Sequence, residues 1–338
     1  MASMQTRNAT AAPSGGPTPS QTPSQKLFDK ISQSEYFLGS PTLRSKVKWV
    51  MDSKRVCKLV ERSSGLNGEP PVEAEIWWIG QILPDNFGLF VEGSWSPSYG
   101  AKFSFPLEQS KARCYVAEPD DPTYASVWRD TFKGAKALEA SRRTPRAEEG
   151  DNRLVYDIVG GDHALKLRFS VFEKHDNAEK YEEARAEQEE NCPEDAEELL
   201  MQNWECRRED TQEALNALIQ SNETAPPNKP RYLGHALPVW TAEHTRVLPR
   251  DYESKLLGAT AVFGAHISHR TMTERDLKKP VRKDHYFADI TSIIVLDDAP
   301  PDPVSQARKR GFEMPPHLVD DSEEEEEPPR RSKRTRRN

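Results

Sequence analysis

Two runs of alternating residues between Leu256 and Leu296 constrain this chain more than any other feature. In the first, Ala259 to His269, period-two counting puts Ala261, Phe263, Ala265 and Ile267 on one face. In the second, His285 to Leu296, it aligns Tyr286, Ala288 and Ile290, slips, and resumes with Ile293 and Val295. Alternation carried by β-branched and aromatic residues is the pattern of a half-buried strand, because successive side chains point to opposite faces. The connecting loop, Arg270 to Lys283, holds Arg270, Arg275, Lys278, Lys279, Arg282 and Lys283 against Glu274 and Asp276. A basic hairpin beside an aromatic-bearing sheet suits a nucleic-acid backbone, and the same charges suit a plain solvated loop. Two or three strands do not make a stable domain alone, so the partners of this pair must come from earlier in the chain.

The clearest of those is Ala74 to Leu83, followed by a turn at Pro84 to Gly88 and a returning run at Leu89 to Glu92. Trp77 and Trp78 face opposite sides of a regular strand, so one belongs to the core and the other to a second layer or to a stacking platform. Ala101 to Phe105 and Ala112 to Ala117 read as short strands, and Thr123 to Ala140 as a helix with Val127, Phe132 and Leu138 inward. Arg153 to Val159 and Ala164 to Phe172 flank a Gly160-Gly161-Asp162 turn, the mark of an antiparallel hairpin. In its second strand Leu165, Leu167, Phe169 and Val171 point inward, and Lys166, Arg168 and Ser170 outward.

Between Asp176 and Glu223 sixteen carboxylates stand against four cations. Asn177 to Gln220 is helix-prone and broken before Pro193, which suits the first turn of a second helix with Leu199, Leu200, Trp204, Leu215, Leu218 and Ile219 along one face. The five domain segments are a disordered tail over 1–40, the first part of a β domain over 41–172, an acidic helical insertion over 173–224, the closing part of the β domain over 225–300, and a disordered acidic and basic tail over 301–338. The net charge is −8, and two acidic segments, 176–223 and 320–327, leave the rest of the chain at +11. An acidic protein of this kind therefore still presents positive surface to an anionic partner.

Four scattered cysteines without a Cys-x-x-Cys pair fit a reducing compartment. No apolar run is long enough for a membrane helix. Ser-Gln pairs at Ser20, Ser24 and Ser32 fit either phosphorylation clusters or a Ser/Gln-rich composition. The terminal cluster Arg330, Arg331, Lys333, Arg334, Arg336 and Arg337 resembles a nuclear localisation signal, which implies the nucleus and an import receptor. No phosphate-binding Gly-rich loop and no Gly-x-Ser-x-Gly elbow occurs. His266 and His269 fall on opposite faces of a strand and cannot share a metal there. The expectation is a protein that is not an enzyme, with no cofactor and no metal.

The segment Leu256 to Ile267 followed by Tyr286 to Leu296 resembles a segment of uncharacterised fungal, mushroom-type proteins. Its rhythm is similar to strand pairs of OB-fold single-stranded-DNA binders. That resemblance implies a β-barrel-like sheet that holds single strands with aromatics and basic loops. The reading is an α+β chain, mainly an antiparallel β barrel or sandwich of which an OB-like form is one version, with an acidic helical insertion and disordered termini. Its function is non-enzymatic nucleic-acid binding in the nucleus, with single-stranded DNA as the leading form. The expected contacts are Arg270, Lys278, Lys279, Arg282 and Lys283, then Lys166 and Arg168, with Trp78 and Tyr286 stacking bases. The alternatives are a scaffold whose acidic segments hold basic proteins such as histones, and a mobile-element or viral accessory protein.

Overall fold

A computed structural model of the chain describes residues 21–65, 68–96, 105–158, 163–274 and 280–299. In chain order its elements are helices α1 (Pro23–Ser32) and α2 (Leu43–Lys46), strands β1 (Val47–Met51), β2 (Cys57–Glu61), β3 (Glu75–Ile82) and β4 (Lys111–Ala117), and helices α3 (Pro122–Ala125) and α4 (Trp128–Ser141). Strands β5 (Glu148–Glu149), β6 (Val155–Asp157), β7 (His163–Ser170) and β8 (Phe172–His175) come next, then helices α5 (Ala178–Glu190) and α6 (Glu209–Thr224). The chain closes with β9 (Arg231–Gly234), β10 (Val239–Thr241), α7 (Tyr252–Leu256), β11 (Thr260–Glu274) and β12 (Val281–Asp297).

One sheet dominates, along the path β1-β2-β11-β3-β4-β7-β12-β10, with β5 against β12 and β6 against β7. Because β11 also pairs with β12, the strands β11, β3, β4, β7 and β12 close a ring of pairings. The sheet is mixed: β12 runs antiparallel to β11 but parallel to β5, β7 and β10. The expectation of an antiparallel barrel or sandwich is corrected to this mixed α+β arrangement. β12, at 17 residues, meets β5, β7 and β10 at successive points along its length.

The alternation of the final hairpin is realised. Ala261, Phe263, Ala265 and Ile267 are all at most 1% exposed. The slip in the second run is a β-bulge: Ala265 pairs with Ile290 and Gly264 with Ser292, so Thr291 is the extra residue. A side chain at Gly264 would stand 2.6 Å from the Ser292 hydroxyl, which is why glycine sits at the bulge. The expected loop from Arg270 to Lys283 is mostly strand, since β11 runs to Glu274 and β12 starts at Val281. Arg270, Arg282 and Lys283 are thus residues of a hairpin arm, not of a loop.

Trp78 is 1% exposed and stacks on Phe263 at 6.2 Å, so it belongs to the core. Leu89 to Glu92 is not a strand; only Gly88 makes a bridge, to Arg113. The expected strand at 101–105 falls largely outside the described residues. The tail expected to be disordered to residue 40 is ordered at its end. Thr22 caps α1 by accepting from the Gln25 amide, Phe28 and Ile31 are buried, and the Ser24 hydroxyl donates to the Leu296 carbonyl at 2.8 Å. Ser24 is thereby a packing residue rather than part of a loose Ser-Gln cluster.

The acidic insertion folds against a second, two-stranded sheet of β8 and β9. In place of one long second helix, short 3-10 turns at Glu197–Leu199 and Met201–Asn203 precede α6. They bury Met201 and Trp204 against Gly234 and Phe172. Asn222 is buried, its amide donating to the Tyr232 carbonyl and its oxygen accepting from the Tyr232 amide at 2.8 and 3.0 Å. No helix among the described residues is long and apolar enough to cross a membrane. Residues 1–20 and 300–338, with the basic cluster Arg330 to Arg337, lie outside the described residues.

Candidate nucleic-acid interface

The outward face of β4, β7 and β12 gathers four cations, of which Arg168 is paired with Asp289 while Lys111, Arg113 and Lys166 have no ion pair among the described residues. On β4 the alternation exposes Lys111, Arg113 and Tyr115 while Ala112, Cys114 and Val116 are fully buried. On β7 it turns Lys166 and Arg168 outward between the buried Leu165 and Leu167. The antiparallel register sets Arg113 directly opposite Arg168, Tyr115 opposite Lys166, and Lys111 opposite Ser170. Like charges directly opposite in a sheet repel, and here Asp289 offsets the Arg168 member of the pair.

Lys111, Arg113, Lys166 and Arg168, with Asn152, Arg153 and Phe287, line a shallow cleft of about 130 Å³. Burial first, then the Arg113 and Arg168 guanidiniums, hold the Lys166 ammonium below its ordinary range. Lys111 is lowered likewise, by burial, then Arg168, with Asp289 opposing and Arg113 adding to the effect. A lysine lowered by burial and by other cations is one that an incoming anion restores. Lys111 Nζ donates to the Ser170 hydroxyl at 3.0 Å, and Lys166 Nζ to the Asn152 amide oxygen at 3.4 Å.

Aromatic surface lies among these charges. Tyr115 and Tyr156 meet edge to face at 5.4 Å, and Lys166 Nζ lies 5.2 Å from the Tyr156 ring centroid. The Tyr156 hydroxyl donates to the Asp151 carbonyl at 2.6 Å, and burial leads the causes that push it up to about 12. Arg168 lies over Phe287 and is bound to Asp289. Arg153, at the border of the cleft, is compensated by Glu149 at 2.9 Å and Glu139 at 3.9 Å.

The expected site residues divide accordingly. Lys166 and Arg168 are in the cleft. Arg270 and Arg282 are exposed on the arm, and Lys283 is half-buried beside β5. The β11–β12 register puts Arg270 and Lys283 on the hairpin face that also carries Phe287 and Asp289, and Arg282 on the other. His285 lies between, buried under Gly150 and Asn152, and so separates the arm from the cleft. Lys278 and Lys279 lie outside the described residues. Trp78 and Tyr286 cannot stack a base: Trp78 is core, and Tyr286 is 6% exposed with its hydroxyl donating to the Glu139 carbonyl at 2.8 Å. Lys111, Arg113, Tyr115, Tyr156 and Phe287 escaped the sequence reading. The signal was present in Lys111-x-Arg113-x-Tyr115, the same alternation that exposed Lys166 and Arg168.

Behind the cleft the hairpin carries a compensated buried cluster. His269, 1% exposed, lies 3.0 Å from Asp284, which also accepts from the Thr144 amide at 2.7 Å and the Thr271 hydroxyl at 2.8 Å. Burial alone would raise the Asp284 carboxyl, but these donors outweigh it and hold it below its ordinary range. His266 points elsewhere, 3.9 Å from Glu73. Among the described residues no group of three or more His, Cys, Asp or Glu side chains could hold a metal ion.

No family model matches the chain, and no curated protein sequence matches it. Among solved structures it is similar to gp2.5, a single-stranded DNA binding protein encoded by bacteriophage T7, at a TM-score of 0.31 and 8% identity, over 68% of this chain and 95% of that one. It is also similar to a single-stranded DNA-binding protein from bacteriophage Enc34 in complex with single-stranded DNA, at a TM-score of 0.33 and 8% identity, over 76% of this chain and 98% of that one. Likeness at these scores carries no weight in the functional reading, which rests on the cleft.

Proposed function

We propose that the protein binds single-stranded nucleic acid across the outward face of β4, β7 and β12. The observation that carries this reading is the cleft in which Lys111 and Lys166, half-buried and lowered by burial and neighbouring cations, stand beside Arg113, none of the three in an ion pair among the described residues. Such a face costs stability in isolation, and a phosphate chain relieves it by taking up the charge. The ring closed by β11, β3, β4, β7 and β12 is, in this reading, an OB-type barrel. In OB folds strands two and three form the binding face, which here are β4 and β7. The nuclear location remains part of the proposal and rests on Arg330 to Arg337 alone.

Anisotropy of labelled single-stranded DNA, single-stranded RNA and duplex DNA across a salt series tests it. Single strands should bind with an affinity that falls steeply with salt, and the variant K111A/R113A/K166A should lose most of the binding and flatten the salt slope by about 2. Wild-type protein that binds no strand at low salt, or a triple variant that binds as wild type, overturns the reading. The scaffold alternative draws on α5, which buries only Tyr181 and leaves most of its carboxylates in solvent. Histone capture that persists in K111A/R113A/K166A and disappears on neutralising the glutamates of α5 would favour it instead.

A further inference from the structure

Arg168 differs from the other cations of the cleft in what its edge and its faces meet. Its Nε and Nη2 donate to the two oxygens of Asp289 at 2.6 and 3.0 Å. Asp289 is its cross-strand partner on β12, so the sheet itself fixes the pair. The guanidinium carbon lies 3.7 Å from the centroid of the Phe287 ring, a van der Waals contact that seats one face of the cation on the aromatic. The side chain remains 22% exposed and borders the cleft with Lys111, Arg113 and Lys166. A guanidinium paired at two points with a carboxylate has little net charge left for a phosphate. It has instead a flat surface in a fixed position. Unpaired bases stack on guanidinium planes as they do on aromatic rings.

We infer that Arg168, held by Asp289 and backed by Phe287, is a platform for an unpaired nucleobase, while Lys111, Arg113 and Lys166 hold neighbouring phosphates. This assignment rests on the nucleic-acid reading above and adds a division of labour to it. The lysines and Arg113 set the salt dependence; Arg168 sets the preference for a strand that carries bases. Lysine cannot replace it, because an ammonium keeps the charge and loses the plane. Asp289, the carboxylate that holds Arg168 within a basic face, acts as a positioning residue.

The test compares oligothymidylate with an abasic strand of the same length and phosphate count, by anisotropy across a salt series. Wild-type protein should prefer the base-bearing strand by about 10-fold, the lower part of the range for one stacked base. R168K should lose most of that preference with its salt slope unchanged, and F287L should reduce it in the same direction. D289N frees the guanidinium to meet phosphate and should steepen the slope by about 0.7. If R168K weakens both strands equally and flattens the slope, Arg168 is a phosphate contact and the inference is wrong. Full base preference retained in both R168K and F287L overturns it equally. Should R168K fail to fold by thermal melting, F287L and D289N provide the same two readouts. Wild-type protein that binds neither strand defeats the underlying reading itself, a result distinct from loss of base preference alone.

Discussion

The β4–β7 face and the β8–β9–α5 layer treat their cations in opposite ways. In the layer the arginines meet anions: Arg231 reaches Glu182 at 3.1 Å and Arg185 reaches Glu189 at 2.9 Å. On the face Arg168 takes Asp289, but Arg113, Lys111 and Lys166 have no ion pair among the described residues, and the two lysines are lowered by burial and by their cationic neighbours. The chain has carboxylates in abundance, yet places few of them here. The contrast separates charge used to hold the fold together from charge kept for a partner.

The core beneath the face sets the scale against which both regions are measured. Trp78→Ala should cost about 3–5 kcal/mol of stability, read by chemical denaturation, with base stacking lost only in proportion to unfolding. A Trp78→Ala variant that stays folded but loses binding would return Trp78 to the interface and blur the distinction. Next in size, Arg231→Ala should destabilise by about 1.5–3 kcal/mol, because a side chain only 10% exposed loses Glu182 and the Ala225 carbonyl together. It should leave nucleic-acid affinity unchanged.

A pH series sharpens the comparison further. Lys111 and Lys166 hold fewer protons in the folded chain than in the unfolded one, so stability should rise as pH increases toward the ordinary lysine value of 10.5. Near and above pH 10 the raised hydroxyls of Tyr115 and Tyr156 act the other way, since the unfolded tyrosines lose their protons first. Between pH 8 and 10 the thiols of Cys114 and Cys206, pushed up by burial, also oppose the lysines, in wild type and in K111M/K166M alike. The lysines show in the difference: the melting temperature of wild type should gain on that of K111M/K166M as pH rises through this window. The smallest effect is the most telling. Arg113→Ala should stabilise the free protein by about 0.2–1 kcal/mol by relieving Lys166 of a neighbouring cation, while weakening binding. If it destabilises as Arg231→Ala does, the two regions are not different in kind.

Much of this architecture was legible in local pattern, and the reasons for the misses are physical. The β11–β12 hairpin and its bulge were readable because one face is buried and alternation then has to show. Lys166 and Arg168 emerged from the same rule. Lys111 was lost by starting β4 at Ala112, one residue late, and with it the Lys-Arg-Tyr row. Trp77 and Trp78 could not be ranked by alternation, since β3 is covered on both sides, by the core and by α1 and α4. The arm was taken for a loop because charge was read as loop, although strands that run past their sheet carry charge freely. The pairing of β3 with β11 leaves no local trace, and Ala74 to Leu83 was placed beside the hairpin only because two strands do not stand alone.

That pairing has a consequence for how the protein comes into being. The Gln81 side chain donates to the Gly258 carbonyl across a separation of 177 residues, and β3 finds its neighbour only when β11 exists. During synthesis β4 and β7 emerge long before β12, the strand that supplies Asp289 and Phe287. From Ser170 to Val281 the nascent chain therefore holds the basic β4 and β7 with the platform missing. Messages cut short between Ser170 and Thr260 should yield polypeptides that attract nucleic acid by charge but show no discrimination between a base and its absence.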